Sequence, residues 1–286
     1  MLQDIYPDLF DNHYKHIQPE PENTVLVFKE GKLLAAYEET EMKIRFPVRS
    51  EFSSHDRAVY LFSITGNPYF LILEPEKIPE GYAWYSIQEL RGLKREGNTV
   101  IMAAFTAWHL WIWYMNSRFC GKCGAKTEFD TVERAMVCPE CHGKIYPRIN
   151  PAVIVGVVNG DRLLLTKYNR TFAYNALIAG FTEIGETLEE TVRREVMEEA
   201  GLKVKNIRYY KSQPWGIAAD ILAGFYCEVD GDDTIHRDDN ELKYAEWVRK
   251  EDIVLQPDSL SLTNEMMTVF KEHKGTRFSP PEPGER

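Results

Sequence analysis

Positive charge is scarce in this 286-residue chain, where 34 Lys and Arg face 44 Asp and Glu for a net charge of −10. A protein whose main task is gripping a nucleic-acid backbone needs a basic face, so this balance argues against that class. It leaves room for a small anionic substrate, because bound metal ions can supply the positive field. A secretory leader is not expected either, since the opening MLQDIYPDLFDNHYKH is polar and acidic. Long apolar runs are missing, the nearest being residues 100–115, VIMAAFTAWHLWIWYM. Those 16 residues, with His109 among them, are short for a membrane span, so a buried helix is expected there. Cysteine is sparse at five, and its spacing does not suggest secretion. These shortages read as a cytoplasmic protein without a membrane partner. With 44% hydrophobic and 27% charged residues, the mix is that of a soluble globular chain long enough for about two domains, each with its own core.

Four of the cysteines fall in two pairs, Cys120-Gly-Lys-Cys123 and, after fourteen residues, Cys138-Pro-Glu-Cys141. Two such pairs on paired turns can place four thiolates tetrahedrally around Zn²⁺. Disulfides or unrelated free thiols are the alternatives, and close CxxC pairs in a non-secreted chain argue against both. Four thiolates saturate the ion, so a structural role is expected. His142, beside the last cysteine, reads as a bystander, and Cys227 as a buried strand residue.

The other concentration of chemistry is residues 180–202, GFTEIGETLEETVRREVMEEAGL. Residues 187–200 carry no Pro or Gly, are rich in Glu and Arg, and precede Gly201, which together predict one helix with a glycine cap. At roughly 100° per residue, Glu195, Glu198 and Glu199 share an arc of about 100°, with Val192, Val196 and Ala200 on the neighbouring, core-facing arc. Like charges about 5.5 Å apart cost roughly 3 kcal/mol per pair at an effective dielectric near 20. Such a cluster is either fully solvated or filled by cations. Carboxylates without Cys or His partners suit Mg²⁺ or Mn²⁺, which leave positions open for phosphates and water. For any one glutamate an ordinary solvated helix is the simpler reading. Seven identities at fixed spacing change that, since they recur by chance in about one chain in a million of this length.

The flanking chain is less specific. Residues 24–28 and 33–37 around Lys29-Glu30-Gly31-Lys32, and 58–64 and 69–73 around Thr65-Gly66-Asn67-Pro68, predict two hairpins, with a further strand at 44–48. Ser86-Ile87-Gln88-Glu89 is a capping-box pattern, and a helix is expected at 99–117. His13, His16, His55 and His109 are isolated and read as surface or core residues. Beyond residue 150, strands are expected at 152–158 and 162–166 around Asn159-Gly160, then at 207–211, 220–228 and 245–248, with an acidic linker before the last and a helix at 261–273. The Pro-rich end reads as disordered.

The segment 180–202 resembles the signature box of the Nudix hydrolases at every defining position. A zinc ribbon just before it, Tyr146-Pro147-Arg148, and Ser212-Gln213-Pro214-Trp215 just after it resemble the NADH pyrophosphatase family. The residue pattern predicts a small N-terminal α/β domain (1–117) and a disordered tail (276–286). The resemblance covers about Phe119 to the last helix and implies a zinc ribbon (118–149) and a Nudix α/β/α sandwich with mixed sheet (150–275), for an α+β protein overall. It implies hydrolysis of NAD(H) to nicotinamide mononucleotide and AMP, possible action on NAD-capped RNA, and a homodimer. Carried over by motif, Glu195, Glu198 and Glu199 bind Mg²⁺ or Mn²⁺, with Glu199 also activating water. Glu186 supports them, Arg194 orients them, and Cys120, Cys123, Cys138 and Cys141 hold Zn²⁺. Phe181 and Tyr146 are implied at the substrate, with core packing the alternative for Phe181. Glu241 corresponds to a further acid, or else is simply solvated. The family's SQPW-PFP-x-S motif is broken here: Gly216, Ile217 and Ala218 replace PFP and Asp220 replaces the Ser. Lost prolines loosen the loop, and Asp220 is expected to add negative charge near the ligand. That makes ADP-ribose, or another nucleoside diphosphate derivative, a competing substrate. A catalytically inert nucleotide-sensing or RNA-binding regulator is the reading from another class.

Overall fold

A computed structural model describes residues 1–169 and 174–272. The chain forms two compact units: Gln3–Arg148 with Gly216–Ala219, and Met1–Leu2 with Ile149–Trp215 and the described residues from Asp220 onward. The expected tail at 276–286 lies outside the described residues.

In the first unit, β1 (Phe10–Asp11), β2 (Thr24–Lys29), β3 (Lys32–Glu38), β4 (Lys43–Arg45), β5 (Ala58–Ile64), β6 (Asn67–Ile72) and β7 (Ala83–Ser86) make one sheet. Its order is β1-β5-β6-β2-β3-β4, with β7 paired to β3. Both expected hairpins form, and their turns use left-handed residues, Glu30-Gly31 and Thr65-Gly66. Asn67 and Pro68 belong to β6 rather than to the turn, and β7 was not anticipated. The Ser86–Glu89 capping box opens α1 (Ile87–Gly92), with Glu89 N donating to Ser86 Oγ at 3.1 Å. The apolar run becomes α2 (Thr99–Asn116), buried along Ile101, Ala104, Phe105 and Leu110. Among the described residues no helix is long and apolar enough to cross a membrane. Short strands β8 (Glu128–Phe129), β9 (Met136–Val137) and β10 (Lys144–Ile145) complete the unit as an antiparallel ribbon.

The second unit is a sheet between two helices. Its strands are β11 (Asn150–Asn159), β12 (Arg162–Tyr168), β13 (Ile178–Phe181), β14 (Val204–Trp215), β15 (Asp220–Val229) and β16 (Leu242–Arg249). They run β14-β15-β11-β12-β16, with β13 also on β11 and β11 parallel to β15. Strand β11 alternates. Val153, Val155 and Val157 join the core under α3 (Leu188–Ala200), while Ala152, Ile154 and Val158 join the core under α4 (Leu262–Glu272). A strand covered on both faces must be apolar at both parities, which is why this one reads as a continuous apolar run. The architecture is therefore α+β, with a mixed sheet layered between helices.

Strand β11 changes neighbours along its length. It pairs with β12 only at Val158 and Asn159, and with β13 from Ala152 to Val155. Strand β13 was missed in the sequence because its four residues carry no periodicity, yet it delivers Gly180 and Phe181 beside α3. Strand β14 extends to Trp215, so Ser212-Gln213-Pro214-Trp215 is strand rather than loop.

Candidate active site

Helix α3 begins where its caps dictate. Thr187 is the N-cap, its hydroxyl accepting from Glu190 N at 3.2 Å while Glu190 accepts from Thr187 N at 2.7 Å. Gly201 ends the helix in the left-handed conformation with φ 70°. Val192, Val196 and Ala200 are fully buried against the sheet.

The glutamates do not share one environment. Glu199 and Glu195 are buried, at 2% and 8% exposure, whereas Glu198 lies at the solvent edge. Arg194 ties Glu195 and Glu198 to Glu186 and Phe181 O with all five of its donors. Its Nε and Nη2 reach the two Glu186 oxygens at 2.6 and 2.9 Å, and Nη2 also donates to Phe181 O at 2.9 Å. Its Nη1 donates to Glu195 at 2.7 Å and Glu198 at 3.0 Å. This guanidinium brings the Glu186 carboxyl down to about 2. Burial pushes Glu195 up, against the pull of Arg194. Burial, then the charges of Glu195 and Glu241, push Glu199 up to about 8. Glu241 is exposed but close enough that its charge acts on both buried glutamates.

Gly180 is required by this packing. A Cβ there would collide with the Glu195 carboxyl. The next residue, Phe181, is 52% exposed, so its ring does not belong to the core. Tyr146 belongs to the first unit, where its hydroxyl donates to Glu133 at 2.9 Å. Tyr168 is the site residue that sequence reasoning overlooked: its hydroxyl lies 3.3 Å from both Glu199 oxygens. A tyrosine at a strand end carries no signal of such a contact.

The ribbon cysteines occupy two matching knuckles. Cys120 N donates to Ala125 O and Gly124 N to Cys120 O; Cys138 N donates to Gly143 O and His142 N to Cys138 O. Gly124 and His142 are the equivalent left-handed positions, with φ 76° and 58°. His142 is thus a turn residue. Backbone N–H groups of Lys122 and Cys123 favour the Cys120 thiolate, and those of Cys141 and Glu140 favour that of Cys138. The sulfurs of Cys120 and Cys141 are 3.6 Å apart and those of Cys123 and Cys138 3.4 Å, with all four within 4.8 Å. A Zn–S bond of about 2.3 Å demands tetrahedral edges of roughly 3.8 Å, so the set fits Zn²⁺ as a closed, structural site. Among the described residues no comparably compact group of carboxylates occurs. Arg194 lies between Glu186, Glu195 and Glu198.

Two expectations about the broken motif are corrected. Asp220 is buried at 6% exposure, with Asn150 Nδ2 at 3.5 Å, and so presents no surface charge to a ligand. Burial pushes its carboxyl up to about 6. The protonated form is favoured on folding, so stability is complete below the unfolded value near 3.8 and is lost as pH rises through about 6. Asp220→Asn is expected to raise the thermal midpoint at pH 8, by up to about 3 kcal/mol of stability, and to change nothing at pH 3.5. Melting curves at the two pH values check this. The loop is not slack either: Trp108 Nε1 donates to Ile217 O at 3.3 Å, and a Cβ at Gly216 would overlap Phe105 O. A proline could not stand there.

Comparison with known proteins identifies the family. A NUDIX domain model matches residues 148–269, and an NADH pyrophosphatase zinc ribbon domain model matches residues 116–146. The NAD-capped RNA hydrolase NudC of Salmonella schwarzengrund (strain CVM19633) is 37% identical over 203 residues, which span 70% of this chain and 76% of that protein. The protein of the same name from Citrobacter koseri is 36% identical over equal shares. A crystal structure of a NUDIX hydrolase from Nitrosomonas europaea superposes with a TM-score of 0.43 at 23% identity, covering 48% of this chain and 80% of that one. With box, ribbon and sandwich all in place, this chain belongs to the Nudix hydrolases, in the branch whose Nudix domain follows an NADH pyrophosphatase zinc ribbon.

Proposed function

We propose that this chain hydrolyses the diphosphate of NAD(H) to nicotinamide mononucleotide and AMP, and that it also acts on the NAD cap of RNA. The observation that carries the reading is the pair of buried carboxylates, Glu195 and Glu199, with Arg194 bridging Glu195 to Glu198 and the charge of Glu241 acting on both. Glu195, Glu198, Glu199 and Glu241 would hold Mg²⁺ or Mn²⁺. Those hard oxygen donors, two of them desolvated and mutually repelling, are a set that a divalent cation relieves. When bound, the ion neutralises diphosphate charge and acidifies water. Glu199 accepts the proton of the attacking water at its carboxylate, and Arg194 keeps Glu195 and Glu198 turned to the same side. The half-exposed Phe181 ring offers a face for a base, and the family resemblance assigns Tyr146 to substrate binding as well. The low basic content fits a substrate recognised by its dinucleotide end rather than along a backbone. The protein works as a cytoplasmic homodimer, a reading supported by its family resemblance.

The broken motif favours a second reading, ADP-ribose, because Ile217 stands where the family has its aromatic. Parallel assays of NADH, NAD-capped RNA and ADP-ribose with Mn²⁺, with products identified by mass, decide between them. We expect kcat/KM for NADH or capped RNA to exceed that for ADP-ribose at least tenfold. The reverse order overturns the NAD reading, and no turnover of any of them leaves the inert regulator. Light scattering at twice the chain mass checks the dimer.

A further inference from the structure

We infer that the C-terminal tip of β12, Tyr168 with its neighbour Asn169, is the positioning element that holds both sources of carboxylate in the site. The inference rests on the reading of Glu199 and Glu241 given above.

The ladder between β12 and β16 is regular from Arg162 to Lys167, where Lys167 faces Tyr244. The next residue, Tyr168, faces Leu242 rather than Lys243, so one extra residue of β16 is bulged out at this point. Bulges bend a strand and re-aim its side chains, and they concentrate beside active sites. On β12 itself Tyr168 has the parity of Leu164, which lies in the core under α3, and so its side chain is directed towards α3 and β13. Its hydroxyl accepts from Ala179 N at 3.0 Å, which fixes the oxygen on the backbone of β13. It has one proton to give and four acceptors within reach: Leu177 O and Ala179 O at 3.4 Å, and the two Glu199 oxygens at 3.3 Å. The Glu199 oxygens are the nearest of these acceptors. The hydroxyl therefore pins Glu199 to β13.

Asn169 works on the other side. Its N–H donates to Glu241 O at 2.9 Å, and its Nδ2 donates to Asp239 O at 2.9 Å and Asn240 O at 3.0 Å. Three consecutive carbonyls are thus gathered by one residue. The same stretch is tied to the end of α3, with His236 N on Ala200 O at 2.8 Å and Asp238 N on Glu199 O at 3.0 Å. The acidic linker is a strap laced between α3 and β12, and it carries Glu241 to where its charge is felt by Glu195 and Glu199. Neither Tyr168 nor Asn169 is expected to touch substrate. They act through the glutamates.

The test compares Tyr168→Phe, Asn169→Ala and, as a neighbouring control, Lys167→Ala, all in the full chain. Partners that orient ligand groups typically matter by roughly 10–100-fold in metal affinity or activity. Tyr168→Phe is expected to lower kcat about tenfold or more with KM for NADH within twofold. Asn169→Ala is expected to weaken Mn²⁺ binding about tenfold, read directly from the electron paramagnetic resonance of free Mn²⁺ without substrate. Lys167→Ala is expected to match the parent in both. Parent-like kcat and Mn²⁺ affinity in the first two variants overturn the inference. So does a uniform loss in all three that tracks a lowered thermal midpoint, since that marks strand damage rather than positioning. A parent protein that turns over nothing with metal sinks the functional reading instead, whatever the variants do.

Discussion

Glu199→Gln is expected to lower kcat for NADH by about a thousandfold while leaving a folded protein, within the 10²–10⁴ range typical of a positioned general base. The amide keeps the shape and buries equally well, but it cannot take a proton from water. The same change has an opposite effect on stability. The Glu199 carboxyl is pushed up to about 8 by burial and by its acidic neighbours, so in the metal-free protein its contribution is complete below about 4.5 and is lost as pH rises through about 8. Without metal, the variant is therefore expected to melt several degrees above the parent at pH 9 and level with it at pH 4. Steady-state kinetics with Mn²⁺ and melting curves with chelator read the two effects separately. A variant with full turnover removes Glu199 from the chemistry, and one with lower stability at both pH values shows that the carboxylate is held by contacts stronger than its burial cost.

Removing zinc is expected to cost more than any single side chain. The ribbon's three strands have two residues each, and its buried apolar side chains, Cys120, Ala135, Met136 and Cys138, are too few for a core. Structural Zn²⁺ contributes on the order of 10–16 kcal/mol to such folds at neutral pH. Metal analysis should find one zinc per chain. Stripping it with a strong chelator, or substituting Cys138→Ser, should add an early unfolding transition more than about 10 °C below that of the holoprotein. Calorimetry that shows one unchanged transition after complete zinc loss would remove the metal from the fold's foundations.

Both results concern features that are legible in the sequence. The knuckles are local, with a ligand pair and its left-handed residue inside six positions, so spacing suffices to predict them. Helix α3 is equally local: its caps, its apolar stripe and its glutamates are set by a 3.6-residue period. The hairpins at Glu30-Gly31 and Thr65-Gly66 were readable for the same reason. Missed elements lacked that local code. Strands β7 and β13 have four residues each and form because a longer strand offers them an edge. The loop at 216–219 looked loosened in the sequence because its real constraint, Phe105 O, lies over a hundred residues away.

The linear chain by itself determined which chemistry is possible here: a four-sulfur site for zinc and an acidic helix suited to hard cations, because each is written within one turn or one helix. Tertiary structure decided how that chemistry is deployed. It buried Glu195 and Glu199 while leaving Glu198 in solvent, laid Gly180 under a carboxyl, brought Tyr168 to Glu199 and took Asp220 out of reach of any ligand. The reason is physical. Desolvation and contact depend on which distant segments pack together, and no spacing rule along a chain encodes what will stand on the far side of a sheet.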